Sequence, residues 1–404
     1  MSDTNTLTLK ENKTKRIGMA IVLGSFAGIA PLSTDMYLPS LPLLVEDLQS
    51  STSVAQLTLT SSLLGMALGQ LFIGPLSDQK GRRMPLVLSL IVYCLSSFLC
   101  AFAPSVWVLI LLRFIQGVSG AGGMVISRAI VRDMYTGIEL TKFFALLMLI
   151  NGAAPILAPV AGGQLLQFTT WRGVFVVLGV LGVLMVSAAF FCVQETLAEE
   201  NRIKGGVKNT LLTLRKLLTD KIFMGYVFTQ GFVTAAMFSY ISGSPFVIQN
   251  IFGASPQMFS IIFAINGLGI IIASQTTGRL AGKVKESLLL KIGLSISLFG
   301  GLLLVIMLAF GAGMAGVLPA LFFVVSSVGI VGTTVFSLAM ESQGKSAGSA
   351  AALLGLMPFI LGSIMAPLVG IGNGQSPWPM AVGILSCQLV AVLSYMFAAK
   401  GTAK

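Results

Sequence analysis

The sequence predicts an all-α membrane protein made of two halves of six spans each. Three observations carry that reading. Of 404 residues, 55% are hydrophobic and only 10% are charged, against about 25% charged in an ordinary soluble domain. The apolar residues fall into about twelve runs, and each is long enough to cross a bilayer, which takes roughly 20 residues as a helix. One long charged connection, residues 194–221, divides these runs into two sets of equal number.

Taken in order, the chain begins with a polar leader that ends in Lys10, Lys13, Lys15 and Arg16. The apolar run that follows is too long for the core of a signal peptide, and no small-residue cleavage site follows it. The leader is therefore expected to remain as a cytoplasmic tail. Spans are expected at 17–41, 54–73, 84–102, 106–130, 143–166 and 173–193, then at 222–247, 255–277, 288–311, 314–340, 347–370 and 378–398. This makes residues 1–193 one six-span half, 194–221 a cytoplasmic linker and 222–404 the second half.

The net charge of +11 comes from basic residues in short connections between apolar runs. Lys and Arg gather in cytoplasmic loops of membrane proteins. With the tail inside, the polar island at 74–83, the segments 128–142, 202–221 and 279–291, Lys345 and the C-terminus all fall on the cytoplasmic side. Arg172, beside Trp171 at a span end, is the basic residue left near an outer loop, where Trp and Arg serve as interface anchors. No nucleic-acid partner is expected, since no RNP, zinc-finger or basic-helix pattern is present. Histidine is absent, and Cys94, Cys100, Cys192 and Cys387 all lie in apolar runs, so neither a metal site nor a disulfide framework is expected. There is no Walker A motif to bind ATP. The expectation is no cofactor and no enzymatic activity.

Residues 74–83 read Gly-Pro-Leu-Ser-Asp-Gln-Lys-Gly-Arg-Arg, a polar island read as a tight loop between spans two and three. Gly74, Leu76, Asp78, Gly81, Arg82 and Arg83 resemble the G-x-L-x-D-x-x-G-R-R/K loop signature of the major facilitator superfamily. The fold this resemblance implies is two six-helix bundles around a central cavity. Asp78 is expected near a helix N-terminus, where the positive dipole end favours an anion, and paired with Arg82. The resemblance implies that Asp78 contacts the inner end of span eleven, here Ser346 and Ala347, and latches the halves in the outward-facing state. The alternative is a basic turn that only sets topology. A weaker echo, Gly278-Arg279-Leu280-Ala281-Gly282-Lys283, begins about half a chain later and lacks the acidic residue. A six-span repeat with the binding cavity between its copies is how this transporter fold is built.

Two charges stand inside spans. Asp35, in Ser33-Thr34-Asp35-Met36-Tyr37, lies about 9 Å from the outer end of span one, and Arg113 about 10 Å from the outer end of span four, at 1.5 Å per residue. An intramembrane carboxylate marks a functional site by default. Burial and a neighbouring cation push its proton affinity in opposite directions, which is what a proton-coupled site needs. The alternatives are an aspartate in the outer headgroups and an arginine that snorkels to the interface. Arg113-Phe114-Ile115-Gln116-Gly117 resembles the R-x-x-Q-G signature of drug antiporters in the same superfamily.

Residues 151–163 fill span five with Pro and small residues, which kink a helix and permit close approach of a neighbour. Gly152, Pro155, Pro159, Gly162 and Gly163 resemble the antiporter signature that ends G-P-x-x-G-G, with Ala158 in place of the usual Gly. That resemblance implies export rather than uptake. Asp35-Met36-Tyr37-Leu38-Pro39, Arg128-Ala129-Ile130-Val131-Arg132-Asp133, Phe238-Ser239-Tyr240 and Ser244-Pro245-Phe246-Val247 are together similar to the Bcr/CflA branch of drug:proton antiporters. Arg132 and Asp133 are expected to form a local ion pair. Tyr37, Gln116, Asn151, Phe232, Tyr240 and Asn266 are candidates to line the cavity; each alone is equally explained by packing.

The reading is proton-coupled efflux of small amphipathic drugs of the bicyclomycin and phenicol kind across a bacterial cytoplasmic membrane, by a monomer with both termini inside. Its expected partners are a small-molecule drug, protons and the lipid bilayer. Within transport, the rival is a major facilitator exporter or importer of an endogenous metabolite. A membrane enzyme or a non-transporting sensor is the rival from another class. The missing His and ligand clusters speak against the first, and the short loops against the second.

Overall fold

A computed structural model of the chain describes residues 13–202, 215–341, 347–371 and 373–402. The first part of the chain forms α1 (Lys13–Ala27), α2 (Ile29–Asp35), α3 (Leu41–Asp47), α4 (Thr52–Lys80), α5 (Arg83–Ala101), α6 (Val106–Met134), α7 (Gly137–Leu165) and α8 (Trp171–Cys192). The second forms α9 (Lys221–Pro245), α10 (Pro256–Leu280), α11 (Glu286–Ala309), α12 (Gly313–Met340), α13 (Ala347–Val369) and α14 (Trp378–Thr402). Eleven of the twelve expected runs each fall on one main helix. Among the described residues, ten helices are long and apolar enough to cross a membrane, or eleven if one bent pair counts as a single span. α7 is 29 residues long.

Capping decides where several helices begin. The hydroxyls of Ser51, Ser105 and Ser255 accept from the backbone N–H three residues on, at 3.3, 3.4 and 3.1 Å. The carboxylate of Asp220 accepts from Ile222 and Phe223 at 3.1 Å. Each satisfies donors that a helix start leaves without an internal acceptor.

Two expectations change. The first span is not one helix: it bends by 53°. Gly28 separates α1 from α2, and a 3-10 turn at Leu38–Ser40 separates α2 from α3. Pro39 and Pro42 are the second residues of the turn and of α3, within the first turn, where no internal acceptor awaits the missing N–H. The island is also not a loop. α4 runs through it to Lys80, and only Gly81, at φ +92°, turns the chain into α5. That φ suits a residue with no Cβ.

Packing follows small residues. A Cβ on Gly69 would fall 2.7 Å from that of Ala121, and one on Gly65 2.9 Å from the backbone nitrogen of Val118. α4 and α6 therefore lie backbone to backbone, the association that small residues four apart allow in a membrane. α5 packs on α6 and α8, while α9 packs on α12, α13 and α14. α1–α8 pack into one bundle and α9–α14 into another. α4 against α13 and α7 against α10 are the main helix pairs between them.

The cores show how the bundles meet. At the end opposite the island, called here the far end, residues of both bundles share one core that includes Tyr37, Leu41, Leu59, Trp171, Tyr240, Phe246, Phe259 and Ile384. At the island end the cores are separate. Leu23, Phe26, Leu90, Ile130 and Met185 belong to the first bundle, and Phe223, Leu290, Val335, Leu354 and Tyr395 to the second. Side-chain amides stitch the far end further. Gln56 donates to the carbonyl of Ser242 at 3.0 Å, Gln249 to Pro39 at 3.3 Å and Gln257 to Gly163 at 2.9 Å.

Candidate functional site

Arg113 sits in the middle of the first bundle with no exposure to solvent. Its Nη1 donates to the carbonyl of Ser33 at 3.0 Å and to Oε1 of Gln116 at 2.5 Å. Gln116 passes the chain on, its Nε2 donating to the Ser97 hydroxyl at 2.7 Å. The rings of Tyr37 and Phe175 face the guanidinium, with centroids 5.2 and 5.6 Å from Cζ. A cation over aromatic faces gains about 2 kcal/mol when desolvated. Among the described residues, Nε and Nη2 have no acceptor. An arginine this deep does not snorkel to an interface.

Asp35 is 7% exposed. The hydroxyl of Thr34 donates to its Oδ1 at 3.1 Å. No ion pair joins it to Arg113, although Arg113 binds the carbonyl of Ser33 two residues earlier. Tyr240 is buried in α9 of the second bundle. Tyr240 accepts from Nδ2 of Asn266 at 2.9 Å and stacks on Phe263 at 5.4 Å.

The other cavity candidates fall in different places. Tyr37 is fully buried, its hydroxyl 3.1 Å from that of Thr58, and both it and Gln116 lie against Arg113. Phe232 is half-buried between the shared far-end core and the island-end core of the second bundle. The side chains of Asn151 and Gly152 lie outside those described, as do Ser346 and the side chain of Ala347. α7 forms part of the seam, packed on α10. Pro155 and Pro159 are inside α7. Gly162 stands against the carbonyl of Met36, and a Cβ on Gly163 would fall 3.0 Å from the carbonyl oxygen of Pro256. These glycines let α7 approach α2 on one side and α10 on the other.

At the island, Arg82 is the hub. It pairs with Asp78 at 2.5 Å and with Asp133 at 2.8 Å, and donates to the Ser77 hydroxyl at 2.8 Å. Gly74 lies against Val125. Arg83 donates to the carbonyl of Phe190 at 2.8 Å and its guanidinium covers the ring of the same residue. Three expectations are settled here. Asp78 does pair with Arg82. It does not stand at a helix N-terminus: it lies in the last turn of α4, and the carboxylate at the start of α5 is Glu195. Asp133 is bound by Arg82, 51 residues away, and not by its neighbour Arg132. Neither the Asp133 nor the Glu195 contact has a local signal in sequence.

Two helical bundles sealed at one end around buried charges define a membrane transporter of small molecules rather than an enzyme. The chain belongs to the Major Facilitator Superfamily, whose family model matches residues 23–367. It is 44% identical over 383 residues to the uncharacterized MFS-type transporter YdgK of Bacillus subtilis (strain 168), covering 94% of this chain and 95% of that one. It is 31% identical over 377 residues to the bicyclomycin resistance protein homolog of Haemophilus influenzae, with 93% and 95% covered. Among solved structures, that of a mutant of the nucleoside transporter NupG superposes with a TM-score of 0.75 at 12% identity, covering 95% of this chain and 99% of that one. The bicyclomycin resistance relative upholds the resemblance to the drug-antiporter branch, and the solved structure upholds the fold.

Proposed function

We propose that this protein exports small amphipathic drugs, of the bicyclomycin and phenicol kind, across the bacterial cytoplasmic membrane in exchange for protons. The observation that carries the reading is Asp35. It is a carboxylate almost sealed from solvent, at the seam of the two bundles, with no described cation paired to it. A group so placed is poised to trade a proton against substrate. The bicyclomycin resistance relative and the α7 glycines support export.

In the proposed cycle, residues 1–193 and 222–404 rock against each other about the seam, joined by 194–221. With both termini and the island cytoplasmic, the sealed far end is the outer face and the structure stands inward-facing or occluded. Substrate enters from the island side, and Asp35 gives up its proton there. After the switch Asp35 takes a proton outside as substrate leaves. Arg113 sets the electrostatic level of the site without bonding to Asp35. Asp78 latches the outward state, and one chain suffices.

The test is a susceptibility panel on cells that express the protein, against an empty vector. It should be paired with everted vesicles, in which an exporter accumulates drug when the lumen is acidified. Raised resistance to bicyclomycin or chloramphenicol with acid-driven accumulation is the expected result. Accumulation of neither compound, with no change in susceptibility, would remove the drug reading and leave the transporter fold.

A further inference from the structure

We infer that Glu195, the second residue after α8 and its C-cap Val193, is a positioning residue for the island: it clamps the start of the inter-half linker onto Arg82 and Arg83. The inference rests on the reading of the island as a latch, and adds to it a residue that no motif of the sequence marks.

The geometry is that of a helix cap supplied from a distance. Arg82 is the N-cap residue of α5, and its own side chain makes no capping bond. That side chain is committed to Asp78 and Asp133. The start of α5 is therefore left with free N–H groups, and Glu195 takes them. Its Oε1 accepts from the backbone N–H of Arg82 at 2.8 Å, and its Oε2 from that of Arg83 at 3.2 Å. Oε1 also accepts from Leu197 at 3.0 Å, which bends the segment back on itself. A carboxylate at a helix N-terminus gains from both the unpaired donors and the dipole. Burial pushes the Glu195 carboxyl up, and the N–H groups of Arg82, Leu197 and Arg83 with the Arg202 charge outweigh it, holding the group below the usual carboxylate range.

Gly81 is shaped to admit it. At φ +92° a side chain is strained in any case. A Cβ there would also strike Oε2 of Glu195 and lie 2.9 Å from its Cδ. The glycine of the island and the glutamate after α8 are thus a matched pair, 114 positions apart in sequence. The adjacent Thr196 adds a second tie, its hydroxyl donating to Oδ2 of Asp133 at 3.3 Å, the same oxygen that Arg82 binds.

The ends of α4, α5, α6 and α8 and the first residues of the linker therefore form one polar plug. Within the first bundle this plug moves as a unit when the bundles rock. Glu195 holds the backbone from which Arg82 presents Asp78, so it sets how well the island docks on the second bundle in the outward state. The chain that leaves for the second bundle is tethered at residues 195–196 rather than free from the end of α8.

The experiment reads conformation without any substrate. The four native cysteines are replaced by serine, and Gln249→Cys is introduced at the far-end seam, where Gln249 now bonds to Pro39 across the bundles. The full chain in proteoliposomes is labelled with a membrane-impermeant maleimide, and melting temperature is measured alongside. Asp78→Asn is expected to slow labelling by favouring the sealed far end. Glu195→Ala is expected to slow it at least threefold, in the same direction, at a melting temperature close to the parent's. The double variant should be no slower than the stronger single one. Glu195→Gln keeps a neutral acceptor and should fall between parent and Ala; it also serves if Ala does not fold. Parent-like labelling in both Glu195 variants while Asp78→Asn is slowed would overturn the clamp alone. Multiplying effects in the double variant would do the same, because they mean independent action. Parent-like labelling in all variants would overturn the latch and this inference with it.

Discussion

Arg113 reaches the backbone carbonyl of Ser33, two residues before Asp35, without forming an ion pair with Asp35. The guanidinium binds the carbonyl of Ser33, Gln116 and two aromatic faces, while among the described residues the carboxylate accepts from the Thr34 hydroxyl alone. Separating the charges leaves Asp35 free to change protonation without breaking a salt bridge. It also makes Arg113 dependent on its rings and amide.

That dependence predicts that Arg113→Lys is not conservative. A lysine cannot hold a planar group between Tyr37 and Phe175 while donating to both Ser33 and Gln116. Transport in proteoliposomes is expected to fall about tenfold, near 1.4 kcal/mol of barrier, in protein that still elutes as a single folded peak. Parent-like transport would show that only the charge matters.

The seam glycines predict a contrast within one protein. A Cβ at Gly162 meets the carbonyl of Met36, whereas one at Gly18 meets nothing within 4 Å. Overpacking costs about 1–3 kcal/mol, so Gly162→Ala should lower the melting temperature in detergent and impair transport. Gly18→Ala should do neither. Equal melting temperatures for the two variants would mean that α7 and α2 are less closely packed than described.

Orientation is tested by labelling from outside cells in a background lacking Cys192. A cysteine in place of Ser51, at the far end, should react with an impermeant reagent. One in place of Lys216, an exposed residue before α9, should react only after the cells are opened. The reverse pattern would turn the proposed cycle upside down.

What was legible in the sequence was what depends on local composition. Twelve apolar runs fall on helices because a bilayer demands length and hydropathy from each run separately. Asp35 and Arg113 stood out because charges in such runs are rare. What escaped depends on partners far along the chain. Asp133 looked like the partner of Arg132 because they are adjacent, yet helix geometry points consecutive side chains apart, and Arg82 arrives from another helix. Asp78 was expected at a helix start because the polar island looked like a loop; α4 continues through it, so the helix start went to Glu195. The break in the first span needed Gly28, Pro39 and Pro42 to be weighed together against a long apolar run.

The most direct test of the central claim is drug-induced proton release from detergent-solubilised protein. Bicyclomycin or chloramphenicol, whichever the susceptibility panel supports, is added in weak buffer, and pH is followed for the parent, Asp35→Asn and Asp35→Glu. Asparagine keeps size and hydrogen bonding but has no proton to release, so release should vanish while some drug binding remains. Glutamate should retain part of the release. Equal release from the parent and Asp35→Asn would move proton coupling to another residue and contradict the account.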